Sequence, residues 1–290
     1  MKTTPAWIRK TAPLSLSAAA GLLALALSGC SPTAGAAVDP SCTPKHQFST
    51  ITKGTLTVAA YDFAPHLKLE GNQITGVEGD LLNEIAKREC LTVSVEASGG
   101  AGAAIPAVQA GRADLAASDW WRTKARAKLV ALSNPVYLDQ GALVSVAGYK
   151  TVAELDGKKI GSVSGNLWND EFAQVFGDKF AVYQDPEAVF NDLAAGRIDA
   201  VIDSVGATTA RFESNPIKDA KIIPLQPDPR IPVTAHPGQL NWPTKLDSPE
   251  LTKAINENIE ELRKDGTIAG LLKKYGMDPS AAEVGEPNML

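Results

Sequence analysis

Histidine, cysteine and methionine are scarce in this sequence, three of each in 290 residues, and aromatic side chains make up 6%. Apart from Cys30, only Cys42, Cys90 and the scattered His46, His66 and His236 remain as soft metal ligands, too few for a clustered thiolate or imidazole centre. No His-Glu-x-x-His segment occurs, and residues 161–165 (GSVSG) carry valine where a Gly-x-Ser-x-Gly nucleophile would stand. The Gly-x4-Gly-Lys-Ser/Thr loop of nucleotide hydrolases is missing too, and glycine-rich residues 99–102 lack its context. Basic charge is also in deficit, with a net charge of −5, which argues against nucleic acid as a partner. Neither a metal nor a cofactor is expected.

What is present begins with an export signature. Lys2, Arg9 and Lys10 precede the uncharged apolar run 14–27, too short for a spanning helix. The run ends in Leu27-Ser28-Gly29-Cys30, which resembles the bacterial lipobox, where the cysteine sulfur takes a diacylglyceryl group. Residues 1–29 then read as a lipoprotein signal peptide and Cys30 as the anchor to the extracytoplasmic face of the membrane, the acyl chains together giving stable attachment. An ordinary secretory signal with an incidental cysteine is the alternative. Loss of residues 1–29 removes three of the 28 basic residues and no acid, leaving 25 against 33 acids and a net charge of −8. Residues 30–45, rich in Ala, Gly, Ser, Thr and Pro, read as a flexible tether. In an oxidising compartment Cys42 and Cys90 are expected to form a disulfide, with two buried thiols as the other reading.

Downstream, strand and helix patterns alternate. Residues 55–61 (TLTVAAY), 91–97 and 113–118 read as strands, with helices at 79–89 and 103–109 between them. The plan recurs with strands at 159–163, 180–183, 198–203 and 221–225, and helices at 167–176 and from Pro186, where Asp185 is a suitable N-cap. This alternation predicts an α/β fold in two units, each a parallel sheet with helices on its faces. Toward the end, Ser248 and Pro249 open a helix whose apolar stripe is Leu251, Ala254, Ile255, Ile259 and Leu262, followed by Ile268, Leu271, Leu272 and Tyr275. These helices are expected to cover the first unit, the proline-rich residues 224–243 forming the return crossing.

The ordered set KGTLTVAAY (53–61), GVEGDLLNEIAK (76–87), IPAVQAGRADLAAS (105–118), RTKARAKLVALSNPVY (122–137), ELDGKKIGSVSGN (154–166), LAAGRIDAVID (193–203) and LRKDGTIAGLLKKYG (262–276) resembles the bacterial extracellular solute-binding proteins of polar amino acid ABC importers. The resemblance implies a type II periplasmic-binding-protein fold: two α/β lobes, two hinge strands and a cleft that buries a small solute. The expected division is residues 46–140 and 239–285 in the first lobe and 141–238 in the second. A monomer that delivers an amino acid, or a related amine or carboxylate, to an ABC permease is the implied role.

The family's carboxylate-gripping arginine falls at Arg126, whose planar fork suits two parallel hydrogen bonds; one more charge among Arg122, Lys124 and Lys128 is the plainer reading. Ser164, Gly165 and Asn166 occupy a turn whose backbone N–H groups could receive the same carboxylate, or could simply cap a helix. Many relatives place an ammonium-binding aspartate where Ser204 stands here, so either Asp203 reaches the cleft or Asp119 replaces it. Trp120, Trp121, Tyr61, Phe63 and Trp168 are expected at the cleft edges, where an aromatic enclosure could hold flat side chains or alkylated ammonium groups. Alternatively, one of the paired tryptophans belongs to the core and the other to a lobe edge. A lyase or dehydratase built on the same lobes, and a lipoprotein that presents its ligand to a membrane sensor, are the competing functions.

Overall fold

A computed structural model describes Val38 and residues 41–290; the expected signal peptide 1–29, Cys30 and most of the expected tether lie outside the described residues. Two five-stranded sheets organise the chain. In the first, the order is Thr92–Ala97, Thr55–Ala60, Leu115–Ala116, Pro243–Thr244, Ala131–Leu132. In the second it is Phe180–Tyr183, Ile160–Val163, Ala200–Ser204, Gly141–Ser145, Lys221–Pro224. Three parallel strands lead each sheet, and an antiparallel strand follows: Pro243–Thr244 beside Leu115–Ala116, and Gly141–Ser145 beside Ala200–Ser204. Each of these added strands comes just after a crossing segment, and the two crossings, Leu138–Asp139 and Gly238–Gln239, pair antiparallel as a two-stranded hinge. That is the two-lobed type II arrangement the resemblance implies.

Alternation along Thr55–Ala60 explains how the first sheet is covered. Leu56, Val58 and Ala60 face helix Gly76–Arg88, through Leu81, Leu82 and Ile85, and the C-terminal helices Pro249–Lys264 and Thr267–Lys274, through Leu251, Ile255, Ile259, Leu262, Ile268 and Leu272. The C-terminal helices therefore pack on the first lobe, as expected. Ala59 points the other way, toward the small side chains of helix Ala101–Gln109, with Trp120 in the same cluster. Fully burying one such leucine contributes about 2 kcal/mol, so the stripes account for why these helices dock where they do. In the second lobe Val201 and Val144 face Val189, Phe190 and Leu193 of helix Pro186–Ala194, while Ile160 and Ile202 face Phe172 and Phe176.

Local departures have identifiable causes. The strand expected at 113–118 shrinks to Leu115–Ala116 because Ser118 and Asp119 take positive φ values of 90° and 62°. The helix expected at 167–176 begins only at Asn169. Ser248 stands at the N-cap of its helix without a side-chain cap bond, whereas Asp185 caps as expected by accepting from the Glu187 amide. Helix Val205–Ser214 and the hairpin of Lys68–Glu70 with Gln73–Thr75 have no counterpart in the sequence reading; the helix is rich in Thr, Gly and Ser and weakly patterned.

Cys42 and Cys90, 48 residues apart, form the expected disulfide with Cα atoms 5.8 Å apart. It fastens the described end of the tether to the end of helix Gly76–Arg88. Nearby, His46 bridges Glu89 at 2.6 Å and Glu257 at 2.7 Å, and Lys45 pairs with Glu261. Residues 42–46 are thus bound to the first lobe rather than belonging to a free tether.

Candidate functional site

The site is built on a strained turn. Ser118 and Asp119, at the end of strand Leu115–Ala116, both sit in the left-handed region that non-glycine residues avoid. Buried Glu78, in the first turn of helix Gly76–Arg88, holds the turn: its carboxylate accepts from the Asp119 amide (2.7 Å), the Ser118 amide (3.2 Å) and the Trp242 indole N–H (2.9 Å). Tyr61 closes the turn from the neighbouring strand, its hydroxyl donating to the Ser118 carbonyl at 2.8 Å and its amide to Ser118 Oγ at 3.2 Å. Burial raises the Glu78 carboxyl, opposed by His66 and by these three donors.

From this turn the chain runs along the hinge. Asn241 donates from both its amide and Nδ2 to the Trp120 carbonyl, and the Arg122 amide donates to the Gln239 carbonyl. A Cβ at position 238 would lie 2.0 Å from Trp121 Cδ2, so glycine there is what lets the Trp121 ring lie against the hinge. Trp121 Nε1 donates to Asp119 Oδ1 at 2.8 Å, and Trp120 Nε1 to the Ala117 carbonyl. The Arg126 guanidinium lies 4.6 Å over the Trp120 ring and donates to the Trp121 carbonyl at 2.7 Å. Burial lowers its pKa, countered by Tyr61 and Asp119, yet a guanidinium stays charged in a protein.

The second lobe faces this wall with residues 165–168. Trp168 Nε1 donates to Ser162 Oγ at 3.0 Å, and its ring meets Trp121 edge-on at 5.8 Å. Gly165, with φ of 92°, comes so near the first lobe that a Cβ would stand 3.1 Å from Ala101 Cβ. Between the walls is a crevice with about 390 Å³ of empty space, open solvent included.

Nine of the eleven residues expected at the ligand line this crevice: Tyr61, Phe63, Asp119, Trp120, Trp121, Arg126, Gly165, Asn166 and Trp168. Both tryptophans are nearly sealed yet face it, so the core and cleft readings of this pair merge; Trp121 also belongs to the hydrophobic core. Two of the expected residues lie elsewhere. Ser164 is outside the lining, and its amide donates to the Tyr183 carbonyl while that of Asn166 donates to Val163, leaving the Gly165 amide of that turn. Asp203 is also outside, 5% exposed, accepting from the Ser204 amide at 2.9 Å and Asn166 Nδ2 at 3.5 Å. Burial pushes its carboxyl up to about 6. No bulge brings it forward, because its strand pairs in regular register with Gly141–Ser145.

Sequence reasoning missed Glu78 and Asp139. Glu78 lies inside the quoted segment GVEGDLLNEIAK, where an acid beside buried Val77 and Gly79 was the available signal. Asp139, on the first hinge strand, joins His66 and Asp119 in a group whose potential ligand atoms all lie within 4.8 Å of one another. The count of scattered histidines and cysteines overlooked such a meeting with acids. Burial first, then Asp139 and Glu78, raise the Asp119 carboxyl well above the usual range, against the Trp121 indole and Arg126. Among the described residues no helix is long and apolar enough to cross a membrane.

With the geometry in place, known proteins can be set beside it. Residues 56–278 match the family model of the bacterial extracellular solute-binding proteins, family 3. The histidine-binding periplasmic protein of Salmonella typhimurium is 29% identical over 214 residues, covering 70% of this chain and 79% of the relative. The lysine/arginine/ornithine-binding periplasmic protein of Escherichia coli is 29% identical over 220 residues, covering 69% and 78%. Among solved structures, an amino acid ABC transporter substrate-binding protein from Streptococcus pneumoniae bound to L-arginine superimposes with a TM-score of 0.65 at 27% identity, over 81% of this chain and 98% of that one.

Proposed function

This chain belongs to the bacterial extracellular solute-binding proteins, family 3, and on that premise we propose that it is the extracytoplasmic receptor of an ABC importer. It binds a small amino acid, or a related amine- or carboxylate-bearing solute, between its lobes and releases it unchanged. The observation that carries this reading is Arg126, held over Trp120 by the Trp121 carbonyl and facing residues 165–168 across the crevice. A guanidinium with one N–H committed to the backbone keeps its other donors for a carboxylate. Asp119, on the same wall, is the acid for the ammonium; Asp203 is already satisfied inside the second lobe. Relatives that bind histidine or lysine, arginine and ornithine support an amino acid as the solute.

Residues 46–140 with 239–285, and 141–238, move as the two lobes, the crossings at 138–139 and 238–239 acting as hinge. Contact of Trp121 with Trp168 and of Ala101 with Gly165 supports a closed state. Cys30 carries the lipid that holds the monomer at the membrane beside the permease. A thermal-shift screen of amino acids and amines tests the binding reading: a ligand at a hundred times its Kd stabilises by about 2.7 kcal/mol. Arg126→Ala should abolish the shift given by a carboxylate-bearing hit, and an unchanged shift would remove Arg126 from the site. For the anchor, Cys30→Ala should release the protein from the membrane fraction; retention there would contradict lipidation.

A further inference from the structure

Behind Asp119 three groups from distant parts of the chain converge. His66 is fully buried, its ring stacked between Phe63 at 5.4 Å and Tyr137 at 5.8 Å, with Nδ1 2.8 Å from the Tyr137 hydroxyl. Its Nε2 lies 3.4 Å from Ser204 Oγ in the second lobe and 3.7 Å from Asp139 Oδ2 on the hinge. Asp119 Oδ1 already accepts the Trp121 indole N–H. Asp139, 5% exposed, differs from the others: its Oδ2 is buried and has no hydrogen-bond partner. A buried acceptor without a donor is destabilising, and here it belongs to a group whose outermost member, Asp119, lines the crevice. Other acids gather here: Asp139 and Glu78 lie near enough to raise the Asp119 carboxyl, and Asp139 near enough to raise that of Asp203.

We propose that Asp119 and Asp139, fixed from behind by His66 and Tyr137, form a seat for the protonated primary amine of the solute. The proposal rests on the binding reading above and narrows it. The position where many relatives carry the ammonium-binding acid is Ser204, which here caps helix Val205–Ser214 by accepting from the Ala207 amide; the acid is supplied from the hinge instead. Three N–H groups on one nitrogen can satisfy Asp139 Oδ2 and Asp119 together while the third faces the crevice. Acceptors about 2.8 Å from a tetrahedral nitrogen stand about 4.6 Å apart, within the 4.8 Å limit of this group. Ligands of a metal ion at about 2.1 Å would have to close to about 3.4 Å, nearer than the 3.7 Å between His66 and Asp139. A fully alkylated ammonium has no N–H and would leave Asp139 Oδ2 unpaired, so the aromatic walls alone would not make it a good ligand. Since Asp139 is on the strand about which the lobes turn, an amine bound there ties recognition to closure.

The test is calorimetric titration of the mature chain with the twenty amino acids and ornithine, each hit followed by its desamino acid and its Nα-trimethyl derivative, and with zinc and magnesium chloride alone. At least one amino acid should bind, with both derivatives at least tenfold weaker. Asp139→Asn should weaken the parent amino acid at least tenfold and leave the desamino acid unchanged. An Nα-trimethyl derivative that binds as tightly as its parent, wild-type affinity in D139N, or metal binding lost in D139N would each overturn the seat. Should D139N not fold, the derivative series on the wild type decides alone. Binding lost in Arg126→Ala but intact in D139N overturns the seat only, and the reverse overturns the carboxylate reading only. Silence across the whole panel overturns both.

Discussion

The two lobes share a sheet plan but meet the crevice differently. On the first, a buried carboxylate, two residues with positive φ and a tryptophan pair lying against the hinge fix Asp119 and Arg126 before any solute arrives. On the second, Asp203 is satisfied within its own lobe, and what faces the partner is a glycine turn, Asn166 and the edge of Trp168. The contrast separates recognition from enclosure. On the proposed reading, charge is read by the lobe that is preorganised for it, and the lobe that closes needs shape and backbone more than charge.

The largest effect that would break this contrast is at the first lobe's fastening. Replacing Cys42 and Cys90 by serine together should lower stability by about 4 kcal/mol on a chain-entropy account, measured by urea unfolding, while solute affinity in the folded protein stays within twofold. A large loss of affinity would mean that the fastening shapes the crevice as well. Next is Glu78→Ala, which strips the acceptor from the Ser118 and Asp119 amides and the Trp242 indole. A cost of about 3 kcal/mol is expected, and here binding should fall too, because the turn that aims Asp119 is released. Full affinity in this variant would show that the turn holds itself.

The smallest effect belongs to the second lobe. Asp203 has its carboxyl raised to about 6 by burial, against about 3.9 in an unfolded chain. The protonated form is favoured by folding, so stability linked to it is complete below about pH 4 and is lost as pH rises through 6. Asp203→Asn should therefore match the wild type near pH 4 and exceed it by about 2 kcal/mol at pH 8, with no change in solute binding. Weakened binding would return Asp203 to the list of ligand residues and erase the contrast between the lobes.

How much of this was legible depended on whether a residue's surroundings are local. Alternating strands and helical stripes such as Leu251, Ile255 and Leu262 are carried by neighbours in the chain, and they located the C-terminal helices and the strands of both sheets except Ala131–Leu132, Gly141–Ser145 and Pro243–Thr244. Nine of the eleven residues that the resemblance suggested line the crevice. What escaped depends on distant partners. Glu78 matters because Ser118, Asp119 and Trp242 fold onto it, and Asp139 because the hinge brings it to His66 and Asp119. Ser164 was misjudged because its amide is taken by the neighbouring strand through Tyr183, and Asp203 because its regular strand points it behind Asn166. A sequence shows which residues can bond; the partner that arrives first is set by the fold.

The division of labour between the lobes is tested most directly by a crystal structure of the mature chain with the tightest-binding amino acid from the screen. The carboxylate is expected within hydrogen-bond distance of the Arg126 guanidinium and the ammonium on Asp119, both on the first lobe, with residues 165–168 closing over the solute. A solute whose charged groups are held mainly by the second lobe, or one bound away from the Trp121 and Trp168 walls, would contradict it.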